Sequence, residues 1–507
     1  MKANGKGVRN YSRYGLALIV LVLFAAGGFF LLSSYSIGKQ DMAIQTAPVN
    51  PDFQQYLLDR DAGLIRTFTE DGFPLGEVPS PLNAKMVKAR GQKKIDSLAK
   101  TFDLRDEGGV TSVKNQGNCG SCWAFATYGS LEPKRPLDTF FDLGKENDWS
   151  EQHLIESHGF DYGECEGGNQ YMSAAYLARW DGPWLESKRK YDYGTMGKKG
   201  AQRHVQNMVF VLPKTAAKKD KHIKDAVVKY GPGYVSMYWS NSCYNYNTSA
   251  YYNKSLPTGG HGVCIVGWDD NFSKNKFLQT PPGDGAYIVK NSWGENWGDE
   301  GYFYVSYYDN YFCKRSYIVF FLDEEFDAVS QSLDGEPVTN YKSIYQHDPY
   351  GWVNNIGWGS KTLWFANVFK AKKNETLKAV GFYSVDTLFK YTVYIYTDVD
   401  ASNVDSSGPT SGTLAYKKSG KIKSPGYFTL DINDVAIKKG QRFSVVIKGK
   451  TKTHSYPGAV EYYYYGYCRK ADAKAGESWV SKNGNEWVDL TKAYKSSANF
   501  CIKGYGE

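Results

Sequence analysis

Cys122 has the sequence surroundings of a nucleophilic thiol. It follows the run Gln116-Gly-Asn-Cys119-Gly-Ser, and within residues 123–132 only Gly129 weakens a helix. A thiol attacks a carbonyl carbon only as the thiolate, and at its usual pKa of about 8.5 it is mostly protonated near neutral pH. A helix N-terminus and a nearby imidazole both lower that pKa. The sequence therefore predicts that Cys122 begins a helix and requires a histidine from elsewhere in the chain.

His261 is the candidate base for this thiol. It lies 139 residues after Cys122 (261 − 122), and the β-branched or small residues 263–266 that follow it are typical of a buried strand. A histidine at the mouth of such a strand is held rigidly, as a proton carrier needs to be. The side-chain amide of Gln116, with the backbone N–H of Cys122, can form an oxyanion hole. These residues together predict acyl-group chemistry at a cysteine.

The pair formed by Cys119 and Cys122 has two other interpretations, a redox pair and half of a zinc site. A zinc site of this type needs a second Cys-x-x-Cys, and the sequence has none. A redox pair needs neither Gln116 nor a distant histidine. No metal and no cofactor is therefore expected. Nucleic acid is not expected as a partner either, because the net charge of +8 is modest and the lysines are scattered.

Taken together, these motifs resemble the papain-like cysteine peptidases. Cys-Gly-Ser-Cys-Trp is the local signature of that family, and its histidine and asparagine follow roughly 130–150 residues downstream. The resemblance implies an α+β fold with a two-lobed peptidase domain at residues 101–322. A helical lobe would carry Cys122, a β-rich lobe would carry His261 and Asn291, and a polypeptide substrate would lie between them. It also implies that Asn291, in Asn-Ser-Trp-Gly, orients the imidazole and that Trp293 shields the pair beside the bound peptide.

The resemblance also assigns substrate contacts and one disulfide. Gly167 and Gly168, in Cys-Glu-Gly-Gly, resemble the glycine pair that meets the substrate backbone. Gly260, directly before the candidate base, leaves the wall of the substrate pocket open. A disulfide flanks the active site in the family, and here it would join Cys119 and Cys165.

Residues 1–36 predict export. Basic residues precede an uncharged run from Leu16 to Leu32, whose length lies between the core of a signal peptide and a membrane-spanning helix. We favour an uncleaved signal-anchor with the enzyme at the cell surface, outside the cytoplasm. A cleaved signal peptide and a secreted enzyme are the alternative. An oxidising compartment would favour pairing Cys468 with Cys501, the two cysteines of the last third, and Cys243 with Cys313.

The rest of the chain divides into a lead segment, a linker and a second domain. Residues 37–100 are interpreted as a tether and a short pro-segment removed near Lys93 to Lys100, with a stalk clamped to the domain surface as the alternative. Residues 323–340 are acidic and polar, as in a linker. Strand-like runs separated by turn residues predict an all-β sandwich at residues 341–507. That stretch resembles the lectin-like domain found behind papain-like peptidases in bacterial and archaeal surface proteins, which implies a carbohydrate or cell-wall ligand.

The sequence therefore predicts an extracytoplasmic cysteine endopeptidase that works through a thioester acyl-enzyme. Two other functions would use the same residues differently. In a cell-surface adhesin the peptidase-like domain would only bind, and its catalytic set would be broken. Here all four residues of the set are present. In acyl transfer, as by a transpeptidase, an amine rather than water would take the acyl group from the thioester.

Overall fold

The computed structural model describes residues 43–87, 98–132, 148–191, 200–212, 221–255, 259–313, 318–322, 324–327, 332–337, 341–400, 408–494 and 497–507. The predicted membrane segment from Leu16 to Leu32 and most of the predicted cleavage stretch from Lys93 to Lys100 lie outside these ranges. Within them, no helix combines the length and the apolar character needed to cross a bilayer.

The helices of the described residues lie mostly in the first half of the chain. They are α1 (Pro51–Asp61), α2 (Cys122–Leu131), α3 (Glu151–Ser157), α4 (Gln170–Ala178), α5 (Lys221–Tyr230) and α6 (Leu490–Ala493). Short 3-10 helices span Ala84–Met86, Asn241–Cys243 and Lys274–Lys276.

Strands dominate the remainder. Those before residue 340 are β1 (Gln45–Thr46), β2 (Thr101–Asp103), β3 (Asn207–Val211), β4 (Gly233–Trp239), β5 (Tyr244–Asn245), β6 (Ala250–Tyr251), β7 (Gly259–Asp269), β8 (Ala286–Lys290), β9 (Tyr302–Ser306), β10 (Ile318–Leu322), β11 (Glu324–Asp327) and β12 (Ser332–Pro337). Those after it are β13 (Ser343–Tyr345), β14 (Asn354–Gly357), β15 (Thr362–Lys370), β16 (Glu375–Ser384), β17 (Phe389–Thr397), β18 (Thr413–Ile422), β19 (Gly426–Ile437), β20 (Arg442–Lys450), β21 (Gly458–Tyr462), β22 (Ser478–Ser481), β23 (Val488–Asp489), β24 (Ala498–Phe500) and β25 (Ile502–Gly506).

Among the described residues, thirteen strands form one sheet that continues from the first half of the chain into the second. The junction is β3, which pairs antiparallel with β10 on one side and with β19 on the other. Main-chain hydrogen bonds therefore join the two halves. The predicted linker, residues 323–340, contains β11 and β12, which pair with each other.

The predicted architecture, an α+β domain followed by an all-β sandwich, is confirmed. In the second half a six-stranded sheet, ordered β18-β17-β20-β15-β22-β23, packs on the end of the large sheet. Phe382 of β16 meets Tyr391 of β17 with ring centroids 5.4 Å apart, and Tyr345 of β13 meets Phe443 of β20 at 5.0 Å. The four-residue α6 is the single helix described after residue 341.

Helix α2 forms the centre of the first domain, and it begins at Cys122 as predicted. All ten of its side chains are buried. Gly129, the weak helix former, lies where the helix approaches β7, because a Cβ there would sit 3.1 Å from the sulfur of Cys264. Close helix–sheet contact thus accounts for a residue that disfavours the helix.

The lead segment packs on both domains. Strand β1 pairs with β14 of the sandwich, and Phe53 of α1 lies edge-on to Tyr464 and Tyr467 at 5.3 and 5.5 Å. These contacts place Tyr464 and Tyr467, from the tyrosine-rich residues 462–467, against the lead segment.

The cysteines depart from the prediction in the second domain. Cys119 and Cys165 form a disulfide beside α2. Cys468 and Cys501 are separate buried thiols, so their predicted pairing is wrong. The reason is local: the Cys468 thiol donates instead to the Tyr462 carbonyl at 3.1 Å. The pairing of Cys243 with Cys313 is wrong as well, since both are buried and no disulfide joins them.

Candidate active site

The fold brings Cys122, His261 and Asn291 together. The backbone N–H of Gly262, next to the histidine, donates to the Cys122 sulfur at 3.3 Å. The Nε2–H of His261 donates to Asn291 Oδ1 at 2.7 Å, which fixes the tautomer of the ring. The other ring nitrogen, Nδ1, is buried and has no hydrogen-bond partner among the described residues. It is therefore the nitrogen available to exchange a proton with a thiol.

Two neighbouring strands position the base and its amide partner. His261 is the third residue of β7, and Asn291 directly follows β8, which pairs with β7. Asn291 Oδ1 also accepts the backbone N–H of Ser292 at 2.8 Å, so the amide is held from two sides. Trp293 stacks on the imidazole with ring centroids 4.5 Å apart, and it is nearly fully buried. The indole therefore excludes water from the His261–Asn291 hydrogen bond.

Gln116 occupies the position expected of an oxyanion-hole donor. Its side chain is fully buried, and its Oε1 accepts the hydroxyl of Ser292 at 2.7 Å. This contact orients the amide so that Nε2 donates to the carbonyls of Cys119 at 2.8 Å and Pro74 at 3.3 Å. The indole N–H of Trp293 donates to the same Pro74 carbonyl at 3.2 Å. A carbonyl oxygen from the lead segment thus occupies donors that a substrate would need.

Residues 73–78, here called the cleft segment, lie across this site. The Gly168 N–H donates to the Gly76 carbonyl at 2.9 Å, and the Val78 N–H donates to the Gly168 carbonyl at 2.9 Å. On the opposite wall, the Glu77 N–H donates to the Gly260 carbonyl at 3.1 Å. The glycines predicted to contact substrate therefore bind a segment of the same chain.

The fit of the cleft segment depends on the absence of side chains. A Cβ at Gly260 would lie 2.1 Å from the Glu77 carbonyl oxygen, and a Cβ at Gly167 would lie 2.6 Å from that of Gly76. On the segment itself, a Cβ at Gly76 would lie 2.0 Å from the Gly120 carbonyl oxygen. Each of these contacts is with backbone, so none can be relieved by a side-chain rotation.

The cleft segment has a defined direction in the cleft. Glu77 pairs parallel with Gly168, and the backbone of Gly76 lies close enough to Cys122 to act on the pKa of its thiol. The segment therefore fills the cleft beside the candidate nucleophile.

In this occupied state the thiol and the imidazole are both neutral. Burial raises the pKa of Cys122 to about 12, and the nearby Glu77 carboxyl adds to the effect. Burial lowers the pKa of His261 to about 4, against the opposing influence of the Asn291 hydrogen bond. Since burial is the main cause of both shifts, water entering an emptied cleft would bring the two values towards each other and favour the ion pair.

One side chain of the segment enters a pocket that sequence reasoning missed. The Glu77 carboxyl is hydrogen-bonded by the hydroxyls of Tyr234 and Ser236, both on β4. Burial raises its pKa to about 8 although both hydrogen bonds act to lower it. The alternation of side chains along β4 could have predicted that residues 234 and 236 share one face of the strand. Their contact with Glu77 could not be predicted, because the lead segment is distant in sequence.

Comparison with known proteins places this geometry in a family. The pattern described as Papain family cysteine protease matches residues 98–320, and that described as Lectin like domain matches residues 344–506. Cathepsin S of Bos taurus is 35% identical over 234 residues, covering 44% of this chain and 64% of that protein. Procathepsin L of Rattus norvegicus is 35% identical over 226 residues, covering 43% and 63%. The chain thus spans less than two thirds of the length of these relatives.

Two solved structures share both domains. The cysteine protease and lectin-like domains of Cwp84, a surface layer associated protein of Clostridium difficile, match with a TM-score of 0.72 and 25% identity. The match covers 92% of this chain and 98% of that one. The clostridial cysteine protease Cwp84 after propeptide cleavage matches with a TM-score of 0.66 and 26% identity, over 80% of this chain and 99% of that one.

Proposed function

Because residues 98–320 belong to the papain family of cysteine proteases and residues 344–506 to the lectin-like domains, we propose that this chain is an endopeptidase precursor. The carrying observation is the set around Cys122: a base with one unpartnered nitrogen, its amide partner Asn291, and the buried amide of Gln116. A polypeptide substrate is supported by the main-chain hydrogen bonds that Gly168 and Gly260 make with the cleft segment.

The proposed reaction uses each of these groups once. The Cys122 thiolate, paired with the His261 imidazolium, attacks the substrate carbonyl carbon and forms a carbon–sulfur bond. Gln116 Nε2 and the Cys122 backbone N–H stabilise the oxyanion. His261 then protonates the departing amine, which leaves a thioester, and water attacks the thioester to release the acid and restore the thiol. Asn291 keeps the ring in the tautomer that this sequence requires.

Peptide hydrolysis after activation tests the proposal. Limited trypsin digestion is expected to activate the chain by cutting between the cleft segment and the peptidase domain. The basic residues available for cleavage there are Lys88, Arg90, Lys93 and Lys94. After trypsin is blocked with a serine-protease inhibitor, the nicked chain is expected to hydrolyse a fluorogenic peptide. Absence of turnover in a folded, nicked chain would favour the adhesin alternative. Products joined to an added amine, in place of free acids, would favour acyl transfer.

The proposed location is outside the cytoplasm. It is supported by the predicted signal-anchor from Leu16 to Leu32 and by the likeness to Cwp84, which is described as surface layer associated. Carbonate extraction of membranes separates the two forms of this proposal. Full-length protein that stays in the membrane indicates an anchor, and release indicates a secreted enzyme.

Inhibition by the cleft segment is expected to weaken as the pH rises from about 4.5 to about 8. The Glu77 carboxyl has its ordinary pKa near 4.5 when free and a pKa of about 8 when docked. Docking is therefore favoured below pH 4.5 and loses free energy until both states are ionised above pH 8. The shift corresponds to a loss of up to about 10³-fold in affinity.

A synthetic peptide of residues 65–82, added to nicked and washed enzyme, measures this effect. Its inhibition constant is expected to rise steeply between about pH 5 and about pH 8. The same peptide with Glu77→Gln should show a flatter profile, because its amide does not ionise. The same enzyme is used with both peptides, so the difference between the two pH profiles reports the ionisation of Glu77 together with its effect on Cys122. Equal pH profiles for the two peptides would refute the assignment.

The lectin-like domain is proposed to bind an anionic glycan. A cleft of about 370 Å³ on the sandwich is lined by five lysines, Lys361, Lys390, Lys421, Lys450 and Lys452. Lys390 stands directly opposite Lys421 on β18 and Lys450 on β20. Like charges directly opposite in a sheet are destabilising, so a structural role is disfavoured. The buried Asp386 accepts the backbone N–H of Lys452 at 2.6 Å, which is a contact with the main chain and not with a lysine ammonium group.

Gel retardation tests the lysine cleft. The chain is expected to be slowed by polygalacturonate and not by neutral dextran, and to lose retardation in Lys390→Ala/Lys421→Ala. Lys378→Ala removes a lysine already paired with Asp434 at 2.8 Å, and it should behave as the parent chain. The effect should fade in high salt, since the charges are exposed to solvent. Equal retardation in both polymers, or an unaffected double variant, would contradict this site.

A further inference from the structure

The side chains that bind the Glu77 carboxyl, Tyr234 and Ser236, belong to β4 of the peptidase domain. A cavity beside Glu77 is lined on the peptidase side by residues that include Gln170, Tyr171, Ser236 and Gly260, and on the other side by the lead segment. When the lead segment leaves, the space of the Glu77 side chain becomes a pocket on the peptidase domain. The hydroxyls of Tyr234 and Ser236 form its polar end.

The backbone contacts of the cleft segment define which substrate residue reaches this pocket. Gly76 lies at the Cys122 sulfur, and the next residue, whose N–H is bound by the Gly260 carbonyl, places its side chain in the pocket. An extended substrate paired with Gly168 presents alternate side chains in the same way. In a substrate that runs opposite to the cleft segment, with the carbonyl of residue P1 at Cys122, the preceding residue, P2, fills the pocket.

The hydroxyl groups at the polar end need a hydrogen-bonding partner, which an aliphatic side chain cannot provide. Tyr234 is fully buried, and the Ser236 hydroxyl also lies 3.4 Å from Gln170 Oε1. An aliphatic P2 side chain would leave the Tyr234 hydroxyl without its partner in the pocket, which costs free energy for a buried polar group. Met237 and Tyr171 supply the apolar surface for the methylene groups of a longer side chain.

We propose that Tyr234 and Ser236 make this enzyme selective for glutamine at P2. The amide oxygen of glutamine accepts the Tyr234 hydroxyl, and its N–H groups donate to Ser236 Oγ and to Gln170 Oε1, so each group has a partner. Glutamate has the same length, as Glu77 demonstrates, and it fits when protonated. The raised pKa of Glu77 supports this point, because it shows that the pocket disfavours a charged carboxylate.

A glycine opposite Ser236 preserves the space for such a side chain. Gly262 pairs with Ser236 across the β4–β7 ladder, and a Cβ there would lie 3.1 Å from both Glu77 Oε2 and the Tyr234 hydroxyl. Gly260, identified from the sequence as an open part of the wall, pairs with Tyr238, and a Cβ there would lie 2.1 Å from the Glu77 carbonyl oxygen. The residues that decide the P2 preference are therefore the hydroxyl pair on β4.

Three fluorogenic peptides that differ only at P2 test this proposal, which rests on the proposed peptidase function. The nicked full-length chain is expected to give a kcat/KM for P2 glutamine about tenfold or more above that for leucine. Glutamate should fall between them and decline as the pH rises. In Tyr234→Phe/Ser236→Ala, which removes both hydroxyls with little change in volume, the glutamine-to-leucine ratio should invert. Tyr308→Phe, remote from the pocket, should retain the parent ratio.

The possible results distinguish a failure of the P2 preference from a failure of the peptidase function. A parent enzyme that prefers leucine, or a double variant with an unchanged ratio, overturns the glutamine preference and leaves the peptidase intact. A nicked, folded chain that hydrolyses none of the peptides overturns the peptidase function itself. If the double variant fails to fold, as judged by its thermal transition, Tyr234→Phe alone provides the same ratio test.

Discussion

Replacing Cys122 with alanine is expected to lower kcat of the activated enzyme by about six orders of magnitude. The sulfur is the atom that bonds the acyl group, and no other described nucleophile lies on the Gly262 N–H and beside the His261–Asn291 pair. Loss of His261 should be of similar size, because thiol and imidazole act as a unit. The measurement is kcat on a fluorogenic peptide after tryptic nicking, with thermal unfolding as a check on the fold.

Cys243→Ala is the matched control for this loss. Cys243 is also a buried free thiol, but it belongs to the short 3-10 helix Asn241–Cys243 and takes no part in the set around Cys122. Its substitution should leave kcat near that of the parent enzyme. Activity that survives in Cys122→Ala, or a comparable loss in Cys243→Ala, would be incompatible with the proposed nucleophile.

The un-nicked chain is expected to be nearly inactive, and Gly76→Val is expected to activate it at least about 100-fold without any cleavage. The valine Cβ would lie 2.0 Å from the Gly120 carbonyl oxygen, so the cleft segment could not bind in the cleft. A tethered segment competes at a high effective concentration, which is why its displacement should have a large effect. Peptide hydrolysis by the two un-nicked chains, compared with the nicked parent, measures it.

Leu64→Ala is the control within the same lead segment. Leu64 is well exposed and lies before the residues that enter the cleft, so its truncation should leave the un-nicked chain inactive. Full activity in the un-nicked parent would mean that the lead segment is a stalk and not an inhibitor. If the nicked parent hydrolyses the peptide and the un-nicked Gly76→Val chain does not, inhibition does not act through the cleft.

The catalytic arrangement was largely predictable because its signals are local. Helix α2 begins at Cys122 as its composition indicates, and β7 covers the apolar run that follows His261. Gly129 appeared only as a weakness in that helix. Its close contact with Cys264 becomes visible only when the helix meets the sheet. Helix and strand types follow from neighbouring residues, whereas close approaches between them depend on the whole fold.

Features that depend on distant parts of the chain were not predictable. Counting cysteines suggested that Cys468 pairs with Cys501, but a count contains no distances, and the Cys468 thiol bonds a nearby carbonyl. The pairing of β3 with β19 joins residues more than 200 positions apart, which no local pattern indicates. The Glu77 pocket was missed for the same reason, because its ligand and its hydroxyls come from separate regions.

Labelling by an epoxide thiol inhibitor, followed by peptide mapping, tests whether Cys122 is the nucleophile and whether the cleft segment covers it. Before nicking, the buried thiol with its raised pKa should take up almost no label. After nicking and washing near pH 8, one label per chain is expected, on Cys122 alone. Equal labelling before and after, or label on another cysteine, would contradict the account.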